Sequence, residues 1–206
     1  MRHVPPHQYA LESRPRARRT GDVEVRWRLR DQCTKLDAAR AHELGVKPCE
    51  FLLGSDGKDL PRKQRADFCL EPAGDTPYRK SLADSLSFGC IPILFHPMTD
   101  NANEWLWNGW KEASRILVPR DAFLRGNITL EGLLQTIPAP LVALMKRTVM
   151  KYARRFQISV EDDLEGDEVH MMLLGAAEYA SKRHRHRRRP RHDDQGTGQS
   201  PAAAAQ

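Results

Sequence analysis

Ala66-Asp-Phe-Cys-Leu-Glu-Pro-Ala-Gly-Asp-Thr-Pro-Tyr-Arg-Lys-Ser-Leu-Ala-Asp-Ser-Leu-Ser-Phe-Gly-Cys-Ile-Pro-Ile-Leu-Phe95 carries the fold of this chain. Phe68 to Leu70 is an apolar run suited to a buried strand end. Pro72, Gly74 and Pro77 punctuate a loop. Ser81 to Phe88 suits a helix that places Leu82, Ser85 and Leu86 on one face. Gly89 is a natural stop for it. Ile91 to Phe95 is apolar throughout, as expected of a parallel strand covered on both faces. The unit is strand, loop, helix, strand, and its loop meets the positive end of the helix. Such a place binds phosphate. Arg79 and Lys80 stand there and add two cations.

Outward from this unit the pattern is of strands alternating with helices, which predicts a mostly parallel α/β sheet. Tyr9 to Leu11 and Phe51 to Leu53 are short strand candidates, and Gly54-Ser-Asp-Gly57 is a turn. Val23, Val25, Trp27 and Leu29 alternate with charged residues, a period of two that argues for a strand. Leu36 to Leu44 suits a helix ending at Gly45. Asp100 to Trp110 holds three tryptophans within six residues. They are read as packing of a long loop over the sheet edge, with a sugar-stacking platform as the functional alternative. Ile116 to Val118, closed by Pro119, is a further strand, and Leu130 to Thr136 a helix that Thr129 can cap. Leu141 to Phe156 is the clearest helix, with Leu141, Leu144, Met145, Thr148, Val149 and Tyr152 along one face. Val169 to Ala180 repeats the pattern with Met172, Leu173, Ala176 and Ala177.

The chain has 206 residues, enough for one well-cored domain, and a formal net charge of +6. Much of that charge lies in Lys182-Arg-His-Arg-His-Arg-Arg-Arg-Pro-Arg-His192, which runs into Gly, Gln, Ser, Pro and Ala. Residues 181–206 are therefore expected to be a disordered basic tail. Arg14 to Arg19 is a shorter basic stretch. No run approaches the roughly 20 apolar residues that span a bilayer. Met1 to Gln8 lacks the apolar core of a signal peptide. The four cysteines, at 33, 49, 69 and 90, include no Cys-x-x-Cys pair, so a zinc site has little support. Cys69 and Cys90, beside apolar strands, are expected to be buried thiols. Cys33 and Cys49 flank a polar segment and are disulfide candidates in a secretory compartment.

Phe68-Cys-Leu, Pro72, Gly74-Asp75, Arg79, Asp84 and Gly89-Cys-Ile-Pro92 together resemble the signature of the exostosin-like glycosyltransferases, family 47. Phe95-His-Pro97 is similar to a feature of the plant and algal members. The resemblance runs from about Tyr9 to about Ala180. Asp31-Gln-Cys33 resembles a helix end of the family, so the resemblance implies a helix where the period-two pattern argues for a strand. The helix is adopted, with Asp22 as its N-cap. Ile137-Pro138 before a long helix resembles the family's C-terminal part. The implied fold is a Rossmann-like parallel sheet with flanking helices, the C-terminal, donor-binding half of a GT-B glycosyltransferase. The domain expected is 9–180, followed by the tail.

Several expectations follow from that resemblance. The implied reaction is inverting transfer of a sugar from a nucleoside-diphosphate sugar, UDP-linked, to a polysaccharide or glycoprotein. Arg79 suits the diphosphate, because its planar fork binds two oxygens and stays charged. Asp84 is placed to accept from the ribose diol. Gly74 lets backbone approach the donor, and Asp75 belongs to the same loop. Tyr78 and Ser81 offer hydroxyls, Ser81 equally a helix cap. No Asp-x-Asp triad is present, so no bridging metal and no cofactor is implied. His96 is a cleft candidate, with packing beside Pro97 as the alternative.

Family members are Golgi proteins with an anchor and an acceptor-binding half that supplies the general base. No catalytic base is therefore named. The chain is expected to be a fragment, or to work with a partner subunit in place of that half. A catalytically inactive nucleotide- or polyanion-binding module is the alternative, its tail binding by counterion release. Nothing points to a specific nucleic acid.

Overall fold

The computed structural model describes residues 22–50, 60–74, 76, 78–160 and 165–188. The strand candidates Tyr9 to Leu11 and Phe51 to Leu53, the Arg14 to Arg19 stretch, and the tail past residue 188 lie outside the described residues.

Three parallel strands form the centre: β1 (Phe68–Glu71), β2 (Ile91–Leu94) and β3 (Ile116–Leu117), in the order β1-β2-β3. Every residue of β2 is buried, as its unbroken apolar composition requires of the middle strand. Phe68 pairs with Ile91 and Glu71 with Leu94, while Ile93 pairs with Ile116. Pro92 sits in this middle strand without disrupting it. Pairing with β3 begins only at Ile93, so its missing N–H removes no bond from that ladder.

Ten helices surround the sheet among the described residues: α1 (Val23–Lys35), α2 (Ala38–Glu43), α3 (Leu60–Arg65), α4 (Lys80–Ser87), α5 (Pro97–Asn101), α6 (Glu104–Trp107), α7 (Arg120–Arg125), α8 (Leu130–Gln135), α9 (Ala139–Tyr152) and α10 (Glu168–Arg188). Alternate residues of β2, together with Phe95, which follows it, feed two apolar clusters. Leu94 joins Leu82 and Leu86 of α4, Leu106, Trp107, Trp110, Val149 of α9 and Phe156. Ile93 and Phe95 join Val25 and Leu29 of α1, Val118, Phe123 of α7 and Leu130 of α8. The result is an α/β/α sandwich with a small sheet, in which each fully buried leucine or isoleucine contributes about 1.5–3 kcal/mol.

Val23 to Leu29 is helical, and the period-two reading does not hold. Val25, Leu29 and Cys33 are the buried residues of α1, four apart, whereas Trp27 faces solvent. Asp22 caps this helix, accepting from the Val25 N–H at 3.4 Å. It also takes both prongs of Arg120, at 2.6 and 3.0 Å. Thr129 caps α8 by accepting from the Gly132 N–H at 3.1 Å.

The tryptophan segment folds into α5, α6 and a turn rather than a long loop. Trp107 and Trp110 are buried. Trp107 donates to the Ser114 hydroxyl at 2.8 Å, and Trp110 to the Leu106 carbonyl at 3.0 Å. Trp110 stacks on Tyr152 with ring centres 5.2 Å apart. Packing is therefore the role of these two rings. Trp105 is half-exposed, and Gly175 of α10 lies against it where a Cβ would collide with the ring.

The apolar face of α9 is narrower than its sequence suggests. Met145 and Val149 are buried, while Leu141 and Leu144 are exposed, and the helix gives way to a 3-10 turn over Ala153–Phe156. In α10, Met172 and Leu173 are exposed; Met171 packs against the core instead. The helix continues to Arg188, into the stretch expected to be a tail.

Both cysteine pairs are bonded: Cys33 to Cys49 and Cys69 to Cys90. The expectation of buried thiols at Cys69 and Cys90 is corrected. The parallel register sets Cys69 opposite Pro92, so Cys90 arrives within bonding range just before β2 begins. Their Cα atoms are 5.8 Å apart, ordinary for a disulfide.

Asp67, ahead of β1, binds Lys146 of α9 at 2.8 Å and Lys47 at 3.0 Å. Partial burial opposes its ionisation, but the two ammonium groups prevail and hold the carboxyl below the usual carboxylate range. A depressed folded pKa stabilises the fold above the unfolded value of about 3.9, and that contribution is lost as pH falls through the folded value. Asp67→Asn should therefore lower stability at neutral pH, by about 1 kcal/mol or less for so exposed a pair. Below pH ~3 the difference from wild type should shrink. Urea unfolding at the two pH values checks this, and an equal deficit at both would contradict it.

Candidate functional site

The loop after β1 leaves the sheet at its carboxyl edge, where ligands of open α/β sheets bind. Ala73 and Gly74 are buried at its start. The guanidinium of Arg26, from α1, donates to the Ala73 carbonyl through Nε at 3.2 Å and Nη2 at 2.8 Å. The anchoring of α1 by Asp22 and Arg120 thus also sets Arg26. Thr76 donates through its hydroxyl to the Tyr78 carbonyl at 2.8 Å and shapes the turn into α4.

Arg79 is the N-cap of α4, with extended backbone and no side-chain cap bond. Its side chain folds back over Gly74. A Cβ built on Gly74 would lie 2.6 Å from Arg79 Nη1 and 3.3 Å from Cζ. This glycine is needed for close approach, and what approaches it here is the Arg79 side chain. Gly74→Ala should leave melting nearly unchanged, because only a flexible side chain must move. Affinity for an anion held by Arg79 should fall about threefold to tenfold, the scale of one displaced charge-assisted bond. Calorimetric titration of the variant measures this, and unchanged affinity would show that the guanidinium works from elsewhere.

Arg26, Gly74, Thr76, Tyr78, Arg79, Lys80 and Ser81 line a pocket of about 360 Å³. The first turn of α4 opens onto it, adding the positive end of a helix to three cationic side chains. Tyr78 is 66% exposed and presents its ring at the rim. The site residues expected from sequence are partly brought together. Gly74, Tyr78, Arg79 and Ser81 line the pocket. Asp84 is one turn behind, its carboxylate held by Lys80 at 2.8 and 2.9 Å. Asp75 lies outside the described residues.

Ser81 is neither a free hydroxyl nor a cap. Its Oγ lies 2.7 and 2.9 Å from the two oxygens of Glu71, the last residue of β1. Glu71 is 1% exposed. Its carboxylate also takes Ser85 Oγ at 2.6 Å and Lys63 Nζ, from α3, at 3.2 Å. His96 caps α5, accepting at Nδ1 from the Met98 N–H at 3.1 Å, which places it in a structural role. Among the described residues no group of three His, Cys, Asp or Glu could hold a metal ion.

Sequence reasoning missed Arg26, Thr76, Glu71 and Lys63. Arg26 reaches the loop across 47 positions of sequence, which no local pattern signals. Glu71 had one weak mark, an acid directly following an apolar strand.

A parallel α/β sandwich with a cationic pocket at the carboxyl edge of its sheet has the charge to suit an anionic ligand. The Exostosin GT47 domain model matches residues 11–128, which contain the whole pocket, and the chain belongs to that family. It is 30% identical over 135 residues to xyloglucan galactosyltransferase MUR3 of Arabidopsis thaliana, covering 64% of this chain and 21% of that protein. It is 30% identical over 142 residues to the probable xyloglucan galactosyltransferase GT19 of the same plant, covering 64% and 32%. With xyloglucan-specific galacturonosyltransferase 1, also from Arabidopsis thaliana, it shares 38% over 88 residues, covering 39% and 12%. The chain thus spans a third or less of the length of these relatives. No solved structure matches it.

Proposed function

We propose that this chain holds the nucleotide-sugar donor in an inverting glycosyltransferase, and that the donor is a UDP-sugar. The observation that carries the reading is the convergence of Arg79, Lys80, Arg26 and the α4 N-terminus on one pocket within the family domain. A departing diphosphate develops negative charge, and fixed positive groups aimed at it lower the barrier. Arg79 grips the diphosphate. Tyr78, at the rim, is placed to cover the base or ribose. Asp84 accepts from the ribose once its carboxylate turns from Lys80 towards the pocket. Asp75 contributes to the same loop.

The relatives' names share xyloglucan and differ in the sugar, galactose or galacturonic acid. Xyloglucan or a similar polysaccharide is accordingly the proposed acceptor. The proposed architecture is the donor half of a GT-B enzyme, with the acceptor half and its general base supplied by other sequence or a partner subunit. A Golgi setting fits the two disulfides, which persist in oxidising compartments. No described helix is long and apolar enough to cross a membrane.

Calorimetric titration with UDP, UDP-galactose, UDP-galacturonic acid, GDP and uridine tests the reading. Binding of UDP and its sugars, with much weaker binding of uridine, is expected. A chain that binds no nucleoside diphosphate overturns it in favour of an inactive or polyanion-binding module.

A further inference from the structure

Beneath the pocket lies a buried polar cluster that none of the roles above uses. Glu71 closes β1, Lys63 comes from α3, and Ser81 and Ser85 lie one turn apart on α4. The Lys63 side chain is 11% exposed and the Glu71 side chain 2%. Lys63 donates to the Ser81 carbonyl at 2.7 Å and to Ser85 Oγ at 2.8 Å, besides its contact with Glu71. Three elements therefore meet at one ion pair, directly behind the first turn of the helix that carries Arg79 and Lys80.

Burying two charges is costly, and a pair of this kind is weak evidence for stability by itself. What it does here is geometric and electrostatic. The carboxylate fixes the rotation and height of α4 through two serine hydroxyls on one face. Alone, that carboxylate would also place a negative charge behind an anion site and oppose the helix N-terminus and Arg79. Lys63 cancels it. We propose, resting on the donor-pocket reading, that Glu71 and Lys63 form a charge-neutral clamp that positions the first turn of α4 for the diphosphate. Both are positioning residues; neither lines the pocket.

The test titrates UDP and uridine against wild type, Lys63→Gln, the double variant Lys63→Gln/Glu71→Gln, and Ser85→Ala. Lys63→Gln leaves the buried carboxylate uncompensated and should weaken UDP about tenfold, with uridine changed little, the scale of one charge-assisted interaction. The double variant removes the stray charge and should regain most of that loss. A merely structural pair would give no such rescue and no diphosphate-over-nucleoside difference. Ser85→Ala, the mildest change, keeps the ion pair and should weaken UDP severalfold, and it serves where Lys63→Gln fails to fold. Folded variants that bind UDP like wild type would overturn the clamp and leave the donor reading standing. A wild-type chain that binds no UDP would overturn both.

Discussion

Arg79→Ala should weaken binding of UDP by roughly ten- to a hundredfold, because a charge-assisted contact of this kind contributes about 1.5–3 kcal/mol. Arg79 occupies the N-cap position of α4, and its guanidinium crosses Gly74 at the pocket wall. Its loss removes a planar fork that can meet two phosphate oxygens at once. Arg79→Lys should recover only part of the affinity, since an ammonium is a point charge without that geometry. Uridine, which has no phosphate, should bind both variants as it binds wild type. The set of affinities is read by calorimetry. UDP binding unchanged in Arg79→Ala would remove the diphosphate from this side chain.

Removing the Cys69–Cys90 bond, as Cys69→Ala/Cys90→Ala, should cost about 3 kcal/mol of stability on the chain-entropy estimate for a loop of this size. For a domain of this length that corresponds to a drop in Tm of roughly 6–12 °C. The bridge spans a sequence separation of 21, and the enclosed stretch is the unit bearing the pocket, from β1 through α4 to β2. Its loss should therefore also lower UDP affinity. The Cys33–Cys49 bridge encloses a separation of 16 around the end of α1 and α2, and contributes a similar stability. Cys33→Ala/Cys49→Ala should melt earlier yet bind UDP much as wild type does. Differential scanning calorimetry with parallel UDP titrations separates the two pairs. An affinity loss confined to the Cys33–Cys49 variant would reverse the assignment.

The parts of this fold that show in sequence are those governed by neighbours along the chain. Ile91 to Phe95 reads as a covered strand because every residue in it is apolar, and it is the buried middle strand. Leu82, Ser85 and Leu86 fall on one helical face by spacing alone, and all three are buried. Val23 to Leu29 shows where local pattern fails. Residues 25 and 29 satisfy both a period of two and a helical repeat, and only contact with Phe95, Phe123 and Leu130 decides between them. The pocket is legible in the same measure. Arg79 and Lys80 at a helix start declare themselves. Glu71, Lys63 and Arg26 do not, because their meaning comes from partners on other elements. The pairing of Cys69 with Cys90 was hidden for the same reason, as it depends on strand register rather than on either residue's surroundings in sequence.

The same bridge has a covalent consequence. Cys69 and Cys90 join the chain on both sides of the pocket loop and α4. A peptide bond cut anywhere between them leaves one molecule rather than two. On a gel such a nicked chain runs at full length until a reductant is added, and then separates into two pieces. Digestion followed with and without dithiothreitol would thus report cleavage inside either bridged loop, and the sizes of the released pieces tell a cut in the segment that carries Arg79 from one between Cys33 and Cys49, while cuts outside both bridges release fragments in either case.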